Sequence, residues 1–359
     1  MASSSKLPVP PSSFASTAET TTVHHGGSSS FISAIHPDIL YTHVLTRLDG
    51  PALAYVACAS KELKSLAFQD DLWNKICCST WPSTDMPRLR QVISTFPHGA
   101  RSFFSASLPL LSIDQAPTAP PVVSNSPSEL FSAVDIYYRN ELIFSRVVET
   151  ETESWWFRCL PFRIDMLDPK DTCPTPIPRP DTQDDHLKLA EDLTLSWILI
   201  DAAGRRAMNL SSHKPVSVQR HWLSGEVQAQ FSLILASKKR SSSEFVQCGI
   251  LVTYGGGTSS GGMLVKEVSL QVEDMDGMFL NGKDSLGILN TSFEGKKGIK
   301  RRRKEEEEEE EGRRRYEGFL KMKRERKERK LRTEDTLDTL CVGFGILILA
   351  CIGLFVFLR

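Results

Sequence analysis

Ile35-His36-Pro37-Asp38-Ile39-Leu40, followed by Val44-Leu45-x-x-Leu48, Pro51-Ala52-Leu53, Ala57-Cys58-Ala59-Ser60-Lys61-Glu62-Leu63 and Asp71-Leu72-Trp73, is the stretch whose reading decides the fold. Pro37 suits a first helical position, where no N–H is needed and φ is preset. Ile39, Leu40, Tyr41, Val44, Leu45 and Leu48 recur at three- and four-residue steps, which predicts a helix with a broad apolar face. Asp49-Gly50-Pro51 punctuates it: glycine suits the helix exit and proline can open the next helix. A second short helix is expected through Leu53, Val56, Ala57 and Cys58. Ser60 is a candidate N-cap for a third helix carrying Leu63, Leu66 and Phe68. Asp70 or Asp71 can cap a fourth carrying Leu72, Trp73 and Ile76.

Helices in so short a segment make a very small core, and domains of that size usually need a partner, a metal or disulfides. No metal or disulfide pattern is visible here. Periodicity alone fits a helical subdomain packed on the rest of the chain; the sharper reading leaves an apolar face for another protein.

The order of anchors resembles an F-box. Such segments typically open with Leu-Pro-x-Asp-Leu-Leu, continue with Ile-Leu-x-x-Leu, and close with a Cys/Ser-Lys-x-Trp element and a Leu-Trp. Pro37, Asp38, Leu40, Val44, Leu45, Leu48, Leu53, Cys58, Lys61, Leu72 and Trp73 fall in that order. The chain departs from the pattern at His36, where the leading leucine is usual, with Ile35 just before it, and at Leu63, where the third element usually has tryptophan. The resemblance implies binding to a Skp-type adaptor, and through it to a cullin–RING ubiquitin ligase. The residues it would use are Ile35, Pro37, Ile39, Leu40, Val44, Leu45, Leu48, Leu53, Cys58, Leu63, Leu72 and Trp73.

At 359 residues the chain has room for two modest domains. Its formal net charge is −1 but unevenly spread, with a basic excess between Lys296 and Arg332 and an acidic remainder. The eight cysteines form no C-x-x-C pair, and Cys77-Cys78 are adjacent, which fits a reducing compartment. The first thirty residues have no hydrophobic core region, so no secretory signal is expected. They are rich in Ser, Thr, Ala and Pro, and disorder is expected there rather than a metal site at His24-His25.

Beyond Trp81-Pro82, Arg88–Ile93 and Gly99–Phe104 read as short bracing helices, and 112–128 as a proline-rich linker. From Glu129 the period changes to that of strands. Ser132–Tyr138 and Glu141–Val148 flank Arg139-Asn140, which suggests a hairpin. Ser154–Leu160 reads as a strand, 168–186 as an excursion heavy in Asp and Pro, and Leu193–Asp201 as a strand turning at Ala203-Gly204-Arg205. Val216–Val218 leads to His221–Gly225. Glu226–Leu235 reads as a helix with Val227, Phe231, Ile234 and Leu235 on one face. Phe245–Tyr254 and Leu264–Val272 are two more strands. The expected fold class is multidomain α+β. A disordered tail (1–30) precedes a small all-α F-box (31–82), a helical brace and linker (83–128) and a β-rich, sandwich-like domain (129–292). A charged low-complexity segment (293–338) and a transmembrane helix (339–358) follow.

Leu195-Ser196-Trp197-x-x-x-Asp201-x-x-Gly204-Arg205-x-x-Met208-x-Leu210-Ser211 resembles the opening of phloem-lectin-type domains, although no sugar-binding residues carry over. A nearer resemblance, from about residue 31 onward, is to the plant cytokinin-induced F-box group. It rests on the Trp-rich strand region, the His-Trp-Leu segment and the hydrophobic C-terminus.

In the charged tail, Glu317–Lys321 and Glu325–Arg329 have the favourable i, i+4 orientation of a solvated helix. Lys300–Lys304 reads as a nuclear import signal or as part of a plain spacer, so a nuclear pool stays open. Leu340–Leu358 carries no charge, and thirteen of its residues are Leu, Ile, Val or Phe. On the membrane-insertion scale these contribute about −4 to −8 kcal/mol, and the helix would be about 28 Å long, close to the hydrocarbon thickness. A single span is expected, entering after synthesis as in a tail-anchored protein, at the endoplasmic reticulum or nuclear envelope. The preceding lysines and arginines would keep the bulk of the chain cytosolic and attract anionic lipid.

Catalytic readings fare poorly. Gly255–Gly262 lacks the Gly-Lys-Ser/Thr of a phosphate loop, and a hairpin is expected instead. Aligning Gly277 to a calcium loop puts Val272 and Lys283 at ligand positions, so Asp276-Gly277 reads as a turn. No acid, base or nucleophile clusters, so no enzyme, cofactor, metal or nucleic-acid partner is expected. Trp155, Trp156, Trp197 and Trp222 are candidate recognition residues, though core packing accounts for most of such rings. Strand alternation would send Trp155 and Trp156 to opposite faces. The expected function is a membrane-anchored substrate receptor of a ubiquitin ligase, with an unknown target protein; the alternative is a membrane-anchored carbohydrate- or lipid-binding module.

Overall fold

The computed structural model describes residues 35–108, 127–237, 245–257, 261–294 and 305–359. The expected N-terminal tail, most of the proline-rich linker and the Lys300–Lys304 block lie outside the described residues. The chain forms two units, one ending at Leu48 and one beginning at Asp49.

In the first unit, Pro37 opens a single α-helical turn, α1 (Pro37–Ile39). The expected long helix does not continue from it. Leu40–Val44 widens to a π-turn and Leu45–Arg47 tightens to a 3₁₀ turn. The local cause is side-chain competition. The Thr42 hydroxyl donates to the Asp38 carbonyl at 2.6 Å, and Thr46 donates to that of Thr42 at 2.7 Å. Such back-bonding to the i−4 carbonyl bends helices.

The second unit begins with helices α2 (Gly50–Val56), α3 (Lys61–Ala67), α4 (Asp70–Thr80), α5 (Pro87–Ser94) and α6 (Gly99–Ser107). Asp49 caps α2 by accepting from the Ala52 N–H at 2.7 Å, and Ser60 caps α3 through the Leu63 N–H at 3.1 Å. Gly50 is not a helix exit. It starts α2, and a Cβ there would collide with the Phe104 ring on α6. Trp73, Trp81, Phe96, Phe103 and Phe104 form the aromatic centre of this layer, with ring centroids 5.1–6.1 Å apart.

Two antiparallel sheets follow. Sheet A has the order β2 (Glu141–Glu151), β1 (Glu129–Tyr138), β5 (Leu193–Asp201), β6 (Arg206–Asn209). Sheet C has the order β3 (Arg163–Asp165), β10 (Gly262–Asp274), β9 (Phe245–Gly255), β8 (Val227–Ala236), β7 (Ser217–Arg220), and β4 (Cys173–Pro178) also pairs with β10. Arg139 and Asn140 both take positive φ (51° and 64°), the geometry of the tight hairpin expected between β1 and β2.

Strand parity explains the layering. In β1, Leu130, Val134, Ile136 and Tyr138 enter the core shared with sheet C. The alternate residues Phe131, Asp135 and Tyr137 meet the helices, through Arg88 over the Phe131 ring, Ser83 and the Thr80 carbonyl. The same alternation in β8 sends Val227, Ala229, Phe231 and Leu235 to the core, while Gln230 meets the tail helix. The result is helices, sheet A, sheet C and tail helix in succession.

Four elements of the second unit differ from the sequence-based expectation. Glu226–Leu235 is not helical: its apolar residues also fit a period of two, and β8 pairs on both sides, with β7 and β9. Ser154–Leu160 is not a strand: Ser154 accepts from the Phe157 N–H at 3.2 Å and caps the short helix α7 (Trp155–Cys159). The excursion carries helix α8 (Gln183–Asp192), nucleated by a reciprocal Thr182–Asp185 capping box. Helix α9 (Gly282–Glu294) was also unforeseen, although Leu286, Leu289 and Phe293 repeat at helical spacing on its core face. Helix α10 runs over Glu305–Phe357, about 80 Å by its rise per residue.

Candidate functional site

The candidate interface residues divide by burial. Ile35, Pro37, Ile39 and Val44 are exposed, Leu40 and Leu48 half-buried, and Leu45 buried. For Ile39 and Val44 the exposed fractions are 52% and 45%, high for β-branched aliphatic side chains. In the second unit Cys58 is exposed, while Leu53, Leu63, Leu72 and Trp73 are buried in the helical layer. The Trp73 indole donates to the Ala67 carbonyl at 2.7 Å. These four residues hold α2–α4 together and do not themselves offer a surface. Leu63 fills its buried site as an aliphatic residue where the F-box pattern would place tryptophan.

The helices are fixed to sheet A by buried polar contacts. Asp135, on the helical face of β1, accepts from the Ser83 N–H (3.0 Å), the Ser83 hydroxyl (2.6 Å) and the Ser145 hydroxyl (2.7 Å). Burial pushes its carboxyl above the usual carboxylate range, against the opposing pull of those hydrogen bonds. The Trp81 indole donates to the Ser196 hydroxyl at 3.3 Å, and Arg88 pairs with Glu129 and Glu149. Burial likewise pushes the Cys77 thiol up to about 12, so it is a packed, unreactive group.

Of the four tryptophans, Trp197 is fully buried, its indole donating to the Ser132 hydroxyl at 3.2 Å. It belongs to the core and is removed from the recognition candidates. The other three are exposed, against the expectation that most would pack inside. Trp155 and Trp156 lie on α7, 67% and 68% exposed, edge-to-face at 5.2 Å. A helical turn places them side by side, where a strand would have separated them. Trp222 is 87% exposed on the β7–β8 connection, beside the exposed Leu223. His221 and Ser224 close this loop, with the Ser224 N–H donating to His221 Nδ1 at 3.2 Å. Trp222 and the α7 pair sit at opposite ends of sheet C. Trp222 lies at the end where Val227 faces Tyr254, and α7 at the end near Asp274.

The lectin-like motif resolves into a turn. Asp201 accepts from the Gly204 N–H at 2.9 Å and is paired with Arg206 at 2.5 Å, closing β5 onto β6. Arg205 takes a positive φ in the same turn. Among the described residues, no group of three His, Cys, Asp or Glu side chains comes together to hold a metal ion.

The comparisons with known proteins bear on these helices. Three F-box proteins of Arabidopsis thaliana, one described as probable, align along nearly the whole chain. The first is 46% identical over 319 residues, covering 88% of this chain and 90% of the relative. The second is 42% identical over 332 residues, covering 90% of each. The third is 40% identical over 335 residues, covering 91% of this chain and 97% of the relative. The chain belongs to the plant F-box proteins. No family model matches it, and neither does any solved structure.

In this F-box protein the tail helix is clamped to the β-rich body, a feature sequence reasoning missed. The Phe319 side chain is fully buried, Lys323 pairs with Glu273 at 2.6 Å, and Asp276 accepts from Arg326 (2.9 Å) and Lys330 (2.8 Å). The Lys330 hydrogen bond, with the Arg326 charge, holds the Asp276 carboxyl below its usual range. The one available signal was Tyr316, Phe319 and Lys323, at steps of three and four in an otherwise solvated helix. Beyond the clamp, α10 is long and apolar enough to cross a membrane, and its apolar window is wholly unburied.

Proposed function

We propose that this F-box protein is the substrate-recognition subunit of a Skp–cullin–F-box ubiquitin ligase, held at a membrane by the apolar end of α10. The carrying observation is the 46% identity with an F-box protein over 88% of the chain. The exposed Ile39 and Val44 support it, because an apolar face of this kind gains by being covered. On this reading the segment 35–78 binds the Skp-type adaptor, and the β-rich body over 129–292 recruits the target protein. The exposed Trp222–Leu223 pair on its rigid hairpin is the candidate target contact, since tryptophan anchors contribute most per residue at protein interfaces. The subunit catalyses nothing itself; it holds a target near a charged ubiquitin-conjugating enzyme, a gain in proximity. The apolar part of α10 spans the bilayer of the endoplasmic reticulum or nuclear envelope with the body on the cytosolic side.

Co-purification of the intact chain with a Skp-type adaptor tests the first claim. Pro37→Ala/Leu40→Ala is expected to lose the adaptor, and capture that persists unchanged refutes it. Deleting 339–359 is expected to release the protein from membranes, and a carbonate-resistant pellet that persists without the segment refutes the anchor.

A further inference from the structure

Sheet C has two ends, and α10 distinguishes them. Tyr316 of α10 lies against Gln230 in the middle of β8, its hydroxyl 3.5 Å from the amide oxygen. About two turns later Lys323 reaches Glu273 at the end of β10, and about three and four turns along, Arg326 and Lys330 reach Asp276 in the turn beyond it. The helix therefore points its apolar segment out past the Asp276 end and away from Trp222. That same end carries five exposed apolar side chains of the body. Trp155 and Trp156 come from α7, Leu160 from the residue that caps it, and Met278 and Phe279 from the turn after β10. The two contributors are locked together. Gly282 N–H donates to the Leu160 carbonyl at 3.0 Å, and Phe162 N–H to the Leu280 carbonyl at 2.7 Å. A Cβ on Gly282 would strike the Phe157 carbonyl, so only glycine permits this approach.

We infer that this end of the body is a lipid-docking face, seated on the surface of the same bilayer that α10 enters. The inference rests on the membrane reading above and deepens it by assigning which face of the body meets the lipid. Three observations select a bilayer as the occupant. First, the face is continuous with the span. Lys330 is clamped to the body, and Leu340 begins the apolar stretch about 15 Å further along the helix, or about 11 Å for a strongly tilted one. The headgroup layer takes up about 5–8 Å of that distance, which leaves a gap short enough for the exposed Met278, Phe279 and the two indoles at this end to bridge on docking. Second, the chemistry suits the boundary: tryptophans concentrate where headgroups meet acyl chains, and an exposed aromatic group on a rigid frame inserts there at little entropic cost. Third, α10 from Lys321 to Thr339 holds eight lysines and arginines, three of them in the clamp, against five carboxylates, and this modest basic excess favours anionic headgroups at this end. The face thus fixes the orientation of the body and leaves the opposite end, with Trp222, turned to the cytosol.

The test uses the intact chain in vesicles of phosphatidylcholine and phosphatidylserine with brominated acyl chains, which quench indoles at the boundary. Flotation with the vesicles reads the span, and quenching reads the face. Two of the six tryptophans are on this face, so roughly a third of the emission is expected to be quenched in the wild type. That quenching is expected to vanish in W155F/W156F and to persist in W222F. Protein that floats but whose quenching is the same in W155F/W156F, or absent in the wild type, overturns the docking face while leaving the span intact. The face then goes to a protein partner. Protein that does not float overturns the membrane reading and this inference together.

Discussion

Replacing Asp135 by alanine is expected to weaken the attachment of the helical layer to sheet A more than any other single change there. The carboxylate is fully buried and accepts three hydrogen bonds, two from Ser83 and one from Ser145. A bond to a charged group contributes about 1.5–3 kcal/mol, and each abandoned buried donor costs about 1–3 kcal/mol. Burying the charge offsets part of this, so the net loss is expected to be about 3 kcal/mol. With a urea slope of about 3 kcal/mol per molar, the unfolding midpoint of the detergent-solubilised protein would fall by about 1 M. Asp135→Asn should behave differently. Its oxygen can keep the Ser83 N–H and Ser145 bonds, and its NH₂ can donate to a rotated Ser83 hydroxyl. Its midpoint should stay within about 1 kcal/mol of wild type at neutral pH. The pH dependence has a definite sign. Because burial raises the folded pKa of Asp135, the proton-linked part of its contribution is fully present below the unfolded value of about 3.9 and is lost as pH rises through the folded value, leaving the hydrogen bonds of the ionised form. The advantage of wild type over Asp135→Asn should therefore shrink as pH rises above about 4. Equal destabilisation by Ala and Asn, or an Ala variant as stable as wild type, would refute the role of this network.

Three further outcomes are expected. Asp276→Ala removes the ion pairs that Arg326 and Lys330 make with this carboxylate and should speed amide exchange over residues 316–330 about five-fold, with little change in global stability, since such partly exposed pairs are worth about 1 kcal/mol or less. Gly282→Ala should cost about 2 kcal/mol in the same urea assay, because the new methyl collides with the Phe157 carbonyl and separates α7 from α9. Trp222→Ser/Leu223→Ser should leave the midpoint within about 0.5 kcal/mol of wild type while reducing ubiquitination of targets found by proximity labelling; undiminished modification would remove this loop from target recognition.

The helical half of the fold was largely legible because its signals are local. Ser60 as a cap and Pro37 at the first helical position act within a few residues of themselves. The failures arise where tertiary context chooses between two periods. Val227, Phe231 and Leu235 satisfy both a helix and a strand, and only pairing with β7 and β9 selects the strand. At Trp155-Trp156 the opposite happened: aromatic composition suggests a strand, while the Ser154 cap and the contact with Gly282 fix a helical turn. That local change determines the candidate surface, since it turns two separated rings into one exposed pair. The interface candidates show a similar split. An F-box pattern marks positions without saying which are surface and which are scaffold. Burial separates Ile39 and Val44 from Leu53, Leu63, Leu72 and Trp73. The clamp between α10 and sheet C was hidden because the low-complexity charge around it masks a signal of only two apolar residues, Tyr316 and Phe319, with Lys323 one further turn along.

The most direct test of the adaptor reading is quantitative binding of the intact protein to a purified plant Skp-type adaptor. Ile39 and Val44 are exposed, so Ile39→Asp/Val44→Asp should leave the unfolding midpoint unchanged and act on the interface alone. A 1:1 complex in the micromolar range or tighter is expected for wild type, weakened at least about ten-fold in the double variant. A wild-type chain that forms no complex, or a double variant that binds as tightly as wild type, would contradict it.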